Sequence, residues 1–302
     1  VTVGLLYTGH LRSFATPEVR STHVENLIGV LKAQNMRPTA FFSMDLGDYP
    51  RGGRVMFQDK IPPKQVVEWM GAVGVNATVE IQTPPEHIPQ GYRRCKGWAE
   101  KSKHLDELER FWKTWWRVRQ AYRMVEKFEK NNGKKFDLLI RVRPDVGWLR
   151  PANLSALVAK EKDQDGWGTL WTPPREFIKA VQINDWLAAC RRDDCEGYFE
   201  MITRWQECQG DLCCWGWGPF YDRTLARDKI KVKDDIAMFP VVLVRNTFVA
   251  CNRLTHFPEL LRECVELART LGLYAAWTCE QPNGNLHIHR SCGAQPPLPP
   301  KR

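Results

Sequence analysis

The stretch Phe136-Asp-Leu-Leu-Ile-Arg-Val-Arg-Pro-Asp145 decides the fold. Its apolar run has the length of a buried strand, and Pro144 stops it. The strand delivers Asp145 at its tip, with Arg141 and Arg143 alternating onto one face. Upstream, Trp98 to Lys130 places Trp112, Trp115, Val118, Tyr122 and Val125 at three- and four-residue steps. That spacing predicts a long amphipathic helix with an aromatic core stripe, and Asn131-Asn132-Gly133 is its stop signal.

Outward from this pair the same alternation continues. Val3-Gly-Leu-Leu-Tyr7 reads as a strand ending in Thr8-Gly9-His10. A helix over Glu18 to Gln34 follows, with Val24, Leu27, Ile28 and Leu31 on one face. Thr39 to Ser43 and Ala77 to Ile81 read as strands, and the Gly/Arg/Pro-rich stretch from Asp48 to Pro63 as loop. Beyond Pro151, strands are expected at Trp167–Thr172, Ala180–Ile183 and Pro240–Val244, and helices at Glu196–Trp205 and Pro258–Leu271. Strand and helix in alternation predict an α/β fold, a mixed sheet flanked by helices. At 302 residues the chain suits a single large domain.

Composition removes several classes. With 43% hydrophobic and 26% charged residues the chain is globular rather than disordered. No apolar run is long enough to cross a membrane. The net charge of +9 favours anionic partners, but no basic run reaches five residues, which argues against a nucleic-acid tail. Ten cysteines, nine of them after residue 189, favour disulfides and an oxidising compartment. Cys213-Cys214 and the Cys190 to Cys195 interval lack the spacing of zinc knuckles. The sequons Asn76-Ala-Thr78 and Asn153-Leu-Ser155 fit a secretory route and a glycoprotein. The start at Val1 reads as a processed or trimmed chain, compatible with a membrane anchor outside it.

In α/β sheets ligands sit at the carboxyl ends of strands. The first end carries Gly9, His10 and Arg12: glycine lets backbone approach a ligand, and arginine can grip phosphate with two donors. The second carries Asp45, suited to a ribose hydroxyl, with Asp48 beside it; a turn-capping role suits Asp45 equally. The third carries Arg141, Arg143 and Asp145, read as either a cleft or a structural ion pair. No Gly-x-Gly-x-x-Gly or Gly-Lys-Ser/Thr loop occurs. Asp234 and Asp235 precede an apolar segment, as a general base or as a helix cap. Asn184-Asp185-Trp186 is a weaker counterpart. His287 and His289 lack a third metal ligand. Trp215 and Trp217, beside Cys213 and Cys214, read as a disulfide-pinned loop or a sugar-stacking platform.

Tyr7-Thr-Gly-His-Leu-Arg-Ser-Phe14 resembles the opening GxLRxF of a group of glycosyltransferase-like proteins common in algae, protists and large viruses. Phe136 to Asp145 resembles their YDxxIRxRPD segment. The resemblance covers residues 1 to about 150 well and the rest loosely. It implies a GT-A-like, nucleotide-diphospho-sugar transferase fold and a UDP- or GDP-sugar donor. Residues 1–150 would be the nucleotide-sugar-binding half, 151–292 the acceptor-side half, and 293–302 a Pro-rich tail. Gly9, His10, Arg12, Asp45, Arg141 and Arg143 would bind the donor, and Asp234 or Asp235 would supply the acceptor base.

The family of folds usually carries Asp-x-Asp where this chain has Arg143-Pro144-Asp145. Either Asp145 holds Mn²⁺ or Mg²⁺, or Arg143 and Arg12 neutralise the diphosphate directly. The implied setting is the Golgi or ER lumen, or secretion, with a glycan or protein acceptor and no nucleic acid. A lumenal sulfotransferase and a non-enzymatic basic glycan-binding protein are the competing readings.

Overall fold

The computed structural model describes residues 1–44, 61–85, 105–158, 166–174, 186–207, 224–244, 248–254, 257–275, 278–280 and 286–288. The expected strand over 180–183, the indole pair at 215 and 217, the acid at 185 and the tail from 293 lie outside these residues.

β1 (Thr2–Gly9) is buried along almost its whole length, as a central parallel strand covered on both faces must be. β2 (Arg37–Met44) and β4 (Leu138–Val142) pair with it on either side, both parallel, and β3 (Asn76–Ile81) extends the sheet beyond β2. β7 (Leu187–Arg191) pairs antiparallel with β4, and β6 (Gly168–Thr172) antiparallel with β7. β8 (Ile230–Asp234) closes the order β3-β2-β1-β4-β7-β6-β8, parallel to β6. The fold is therefore α/β, a mixed seven-stranded sheet flanked by helices. Two reversals restore direction, so β6 and β8 run with β1 and β4. The carboxyl ends Gly9, Val142, Thr172 and Asp234 share one edge.

Side chains alternate between two cores. Leu5, Tyr7, Ile140 and Val142 face one; Leu6, Phe41 and Leu139 face the other. The first core packs beneath a helix running from α1 (Pro17–His23) through a π turn (Val24–Ile28) into α2 (Gly29–Ala33). It also takes Val66 and Met70 of α3 (Pro63–Ala72) and Leu261 and Cys264 of α8 (Pro258–Thr270). The second core packs beneath α4 (Leu105–Asn132), whose Trp112, Trp115, Val118, Tyr122 and Val125 are buried. α5 (Ser155–Val158) precedes β6 in sequence. α6 (Glu196–Phe199) and α7 (Met201–Glu207) complete the second layer. Gly133 ends α4 at φ +63°, the left-handed geometry of a helix stop.

The element α3 falls after the stretch read as loop, and Pro63 at its first turn with Val66 and Met70 four apart was its signal. β7 and β8 were not expected as strands. Two disulfides are described, Cys190–Cys195 and Cys251–Cys264, the second tying α8 to the short helix over Cys251–Leu254.

A buried ion pair locks the two halves of the chain together. Arg192, just past β7, meets both carboxylate oxygens of Glu129 in α4 at 2.8 Å and reaches the Tyr122 hydroxyl at 2.7 Å. Glu129 also accepts the Phe136 amide. Removing one partner of such a pair strands a buried charge. Glu129→Ala should cost about 3–5 kcal/mol in urea unfolding. A loss below ~1 kcal/mol would show that water replaces the carboxylate freely.

Candidate functional site

β1 and β4 are neighbours, yet the chain reaches β2 and β3 on the other side of β1 before returning to β4. Such a reversal of strand order opens a crevice at the carboxyl ends of the two strands. Gly9 leaves β1 at φ +126°, a conformation that excludes side chains, and a Cβ there would lie 3.8 Å from Pro144. The turn after β1 thus packs against the turn after β4. Arg12 opens a short 3₁₀ helix (Arg12–Ala15) at this edge, and His10 is half-buried.

Asp145 sits in the turn between β4 and β5 (Val146–Trp148) and is only 2% exposed. Arg143 folds onto it, Nε donating to Oδ1 and Nη2 to Oδ2, each at 2.9 Å. The turn is pinned on three sides. The Arg143 amide donates to the Trp186 carbonyl at 3.0 Å, and the Val244 amide to the Asp145 carbonyl at 2.8 Å. The Ser13 hydroxyl donates to the Val244 carbonyl, which brings the segment around Arg12 within two hydrogen bonds of Asp145. β5 pairs antiparallel with β9 (Val241–Leu243) and is stitched to α1 by Thr22 and Asn26, bonded to the Trp148 amide and carbonyl.

Arg141 does not line an open cleft with Arg143. It is fully buried, Nε donating to the Thr8 hydroxyl at 3.0 Å and Nη1 to the Tyr198 hydroxyl at 2.9 Å, with its charge 5.4 Å from the Trp115 ring. Among the described residues its Nη2 has no hydrogen-bond partner. Strand alternation sends it toward the α4 layer, where hydroxyls rather than a carboxylate receive it. Sequence spacing shows the face of the strand but not this depth.

Asp234 ends β8 and is exposed, on the same edge as Gly9 and Asp145 but three strands from β4, roughly 14 Å by interstrand spacing. Asp235 is half-buried and caps the following turn, its Oδ1 accepting the Ala237 and Met238 amides at 2.7 and 3.2 Å. The capping role is thus present whether or not Asp235 also acts as a base. Asp45 and Asp48 lie outside the described residues.

The donor set does not suit a divalent cation as arranged. Among the described residues no three His, Cys, Asp or Glu side chains cluster to hold a metal. Both Asp145 oxygens already face a guanidinium, and a cation beside it would meet like charge.

The chain matches no family model and no curated protein. Among solved structures it is similar to a protein assigned as a glucose-1-phosphate thymidylyltransferase from Bacillus anthracis, in complex with a sucrose. There the TM-score is 0.37 and the identity 11%, over 78% of this chain and 87% of that one. It is also similar to a glycosyltransferase involved in glycosylation of the major capsid of PBCV-1, with TM-score 0.36 and 13% identity over 78% and 83% of the two chains. The apo-form glycosyltransferase GlyE of Streptococcus pneumoniae TIGR4 gives TM-score 0.38 and 8% identity, over 78% of this chain and 45% of that one. None of the three assigns a role to any residue here.

His23 lies directly behind the Asp145 turn. Its Nε2 donates to the Val146 carbonyl at 2.7 Å, so the neutral ring carries its proton there, and Nδ1 is buried without a partner among the described residues. Burial pushes its pKa down to about 4, against weaker raising effects of the Val146 bond and of Asp145. The unfolded chain takes up a proton below about pH 6.5 that folded His23 refuses. Its contribution is therefore complete above pH 6.5 and lost as pH falls toward 4, to the extent of about 3 kcal/mol. Denaturant melts of the wild type and His23→Gln from pH 7 to pH 4 should show the smaller decline in the variant. Parallel declines would mean that His23 stays protonatable in the fold.

Proposed function

We propose that the chain is a glycosyltransferase of the GT-A-type family it resembles, moving a sugar from a UDP- or GDP-sugar to a glycan or glycoprotein acceptor. The observation that carries this reading is the crevice between β1 and β4, where the Gly9 turn, Arg143 and Asp145 meet at the strand-order reversal. A diphosphate laid there meets backbone that can be approached closely and a guanidinium held rigid by Asp145. Asp145 is then a positioning residue, and Arg143 and Arg12 are the groups for the diphosphate. Arg141, sealed beneath Thr8, contributes its field through a low-dielectric interior rather than by contact. Asp45 is the candidate for the ribose.

In the reaction, an acceptor hydroxyl attacks the anomeric carbon and the bond from that carbon to the diphosphate oxygen breaks. The nucleoside diphosphate leaves with the electron pair, and arginine charge stabilises it. The hydroxyl proton passes to a carboxylate, for which Asp235 and Asp234 are the candidates on the same edge. Two disulfides are compatible with a lumenal or secreted setting, and among the described residues no helix is long and apolar enough to cross a membrane.

Thermal-shift titration with UDP, GDP and adenosine 3′-phosphate 5′-phosphosulfate, with Mn²⁺ or with chelator, tests the donor class, since stabilisation grows with ligand over its dissociation constant. UDP or GDP should stabilise the protein with chelator present, and Arg143→Met should weaken that binding about tenfold to a hundredfold. Stabilisation by the phosphosulfate alone would point to sulfotransfer. Asp235→Asn keeps the capping oxygen, so the turn should survive. Turnover should fall about a hundredfold to ten-thousandfold while nucleotide affinity holds. If Asp235→Asn and Asp234→Asn both keep near-normal turnover, neither is the base.

A further inference from the structure

The amino-terminal edge of the sheet, opposite Asp145, carries a second concavity of about 540 Å³. Lys32 closes α2, Arg37 opens β2, and Lys134 and Lys135 lie in the turn from α4 into β4. About a hundred residues separate the two pairs in sequence. They converge because β2 and β4 flank β1, so the turns feeding both strands meet at this edge. All four side chains are exposed and line the groove.

Among the described residues no carboxylate lines it. The neighbouring Asp137 turns to the chain itself, its Oδ2 accepting the Thr2 amide at 2.6 Å and the Thr2 hydroxyl at 2.9 Å. Lys135 stands 3.7 Å from Asp193, with side chains 68% and 86% exposed, a pairing that solvent screens. Lys32 donates to the Val73 carbonyl and keeps further ammonium protons for another acceptor. Four positive charges, offset in part by Asp137 near Lys134 and Asp193 near Lys135, surround one concavity against the apolar wall of Met36, Phe128 and Phe136 and leave a net positive potential. Thr39, Asn76 and Asn132 add neutral polar groups between the charges.

We propose that this groove is a binding site, separate from the crevice, for a carbohydrate bearing sulfate or phosphate groups. The cations receive the ester charges, and the hydroxyl and amides the ring hydroxyls. The concavity has the size of a small-molecule site and takes one or two rings, whereas a duplex would bridge its mouth without entering. The site stands whether or not the crevice transfers sugar.

Titration calorimetry on the whole chain tests it, with a sulfated tetrasaccharide, a phosphorylated tetrasaccharide and a single-stranded oligonucleotide of equal charge. Arg37→Ala/Lys134→Ala/Lys135→Ala spares Lys32, which supports the Val73 carbonyl. It should weaken binding of the preferred saccharide about tenfold or more, whereas Lys64→Ala/Arg123→Ala/Arg262→Ala should change it less than about twofold. The ester bound more tightly names the group the site takes. Equal loss in both triple variants, binding of the oligonucleotide as tight as that of the saccharide, or no saccharide binding would each overturn the proposal. All six positions are exposed, so melting temperatures of both variants should stay near wild type.

Discussion

The paired hydrogen bonds from Arg143 to Asp145 are the contact on which the carboxyl edge of the sheet depends. A carboxylate this deeply buried is tolerable only with a partner, so the turn cannot form half-made. The same three-residue turn receives backbone bonds from the segments before β7 and after β9, and Ser13 reaches it through Val244. Four stretches distant in sequence therefore agree on one geometry. Whatever binds at this edge meets a turn already fixed, without the ordering cost of a loose loop.

The cations at the two edges of the sheet form two unlike populations. At the carboxyl edge arginines are buried or half-buried and bonded to protein groups, which fixes their direction. At the amino edge the cations are exposed, three of the four being lysines on flexible stems. Rigid guanidinia suit a ligand of one shape, and mobile ammonium groups suit several. The two edges are thus different kinds of anion surface on one sheet.

The central strands and long helices were legible because each carries an unmixed period. β1 and β4 are continuous apolar runs, and α4 repeats its aromatic positions at helical steps. β8 escaped notice because Ile230-Lys-Val-Lys-Asp alternates over only five residues, the pattern of a charged edge strand that also resembles a loop. β7 is Leu-Ala-Ala-Cys-Arg, whose small residues carry little strand preference although the strand is buried. At the site, the spacing of Arg141 and Arg143 predicts a common face, whereas Arg141 is sealed toward α4 and Arg143 lies past the end of β4, folded onto Asp145. Spacing could not give their depths, because burial of Arg141 comes from Thr8 and Tyr198, 133 and 57 residues away. For Asp235 both readings were open, and the structure supplies the cap.

β7 lies between β4 and β6 and runs against both, and Arg192 at its end is buried in α4. The strand that carries Asp145 is therefore walled, on the side away from β1, by chain synthesised some fifty residues later. As the polypeptide emerges from the ribosome, β4 has one edge unpaired and the Glu129 carboxylate lacks its guanidinium until β7 and Arg192 follow. Over that interval the exposed edge is a template for pairing with another nascent chain. Completion of the central sheet thus waits on the second half of the chain.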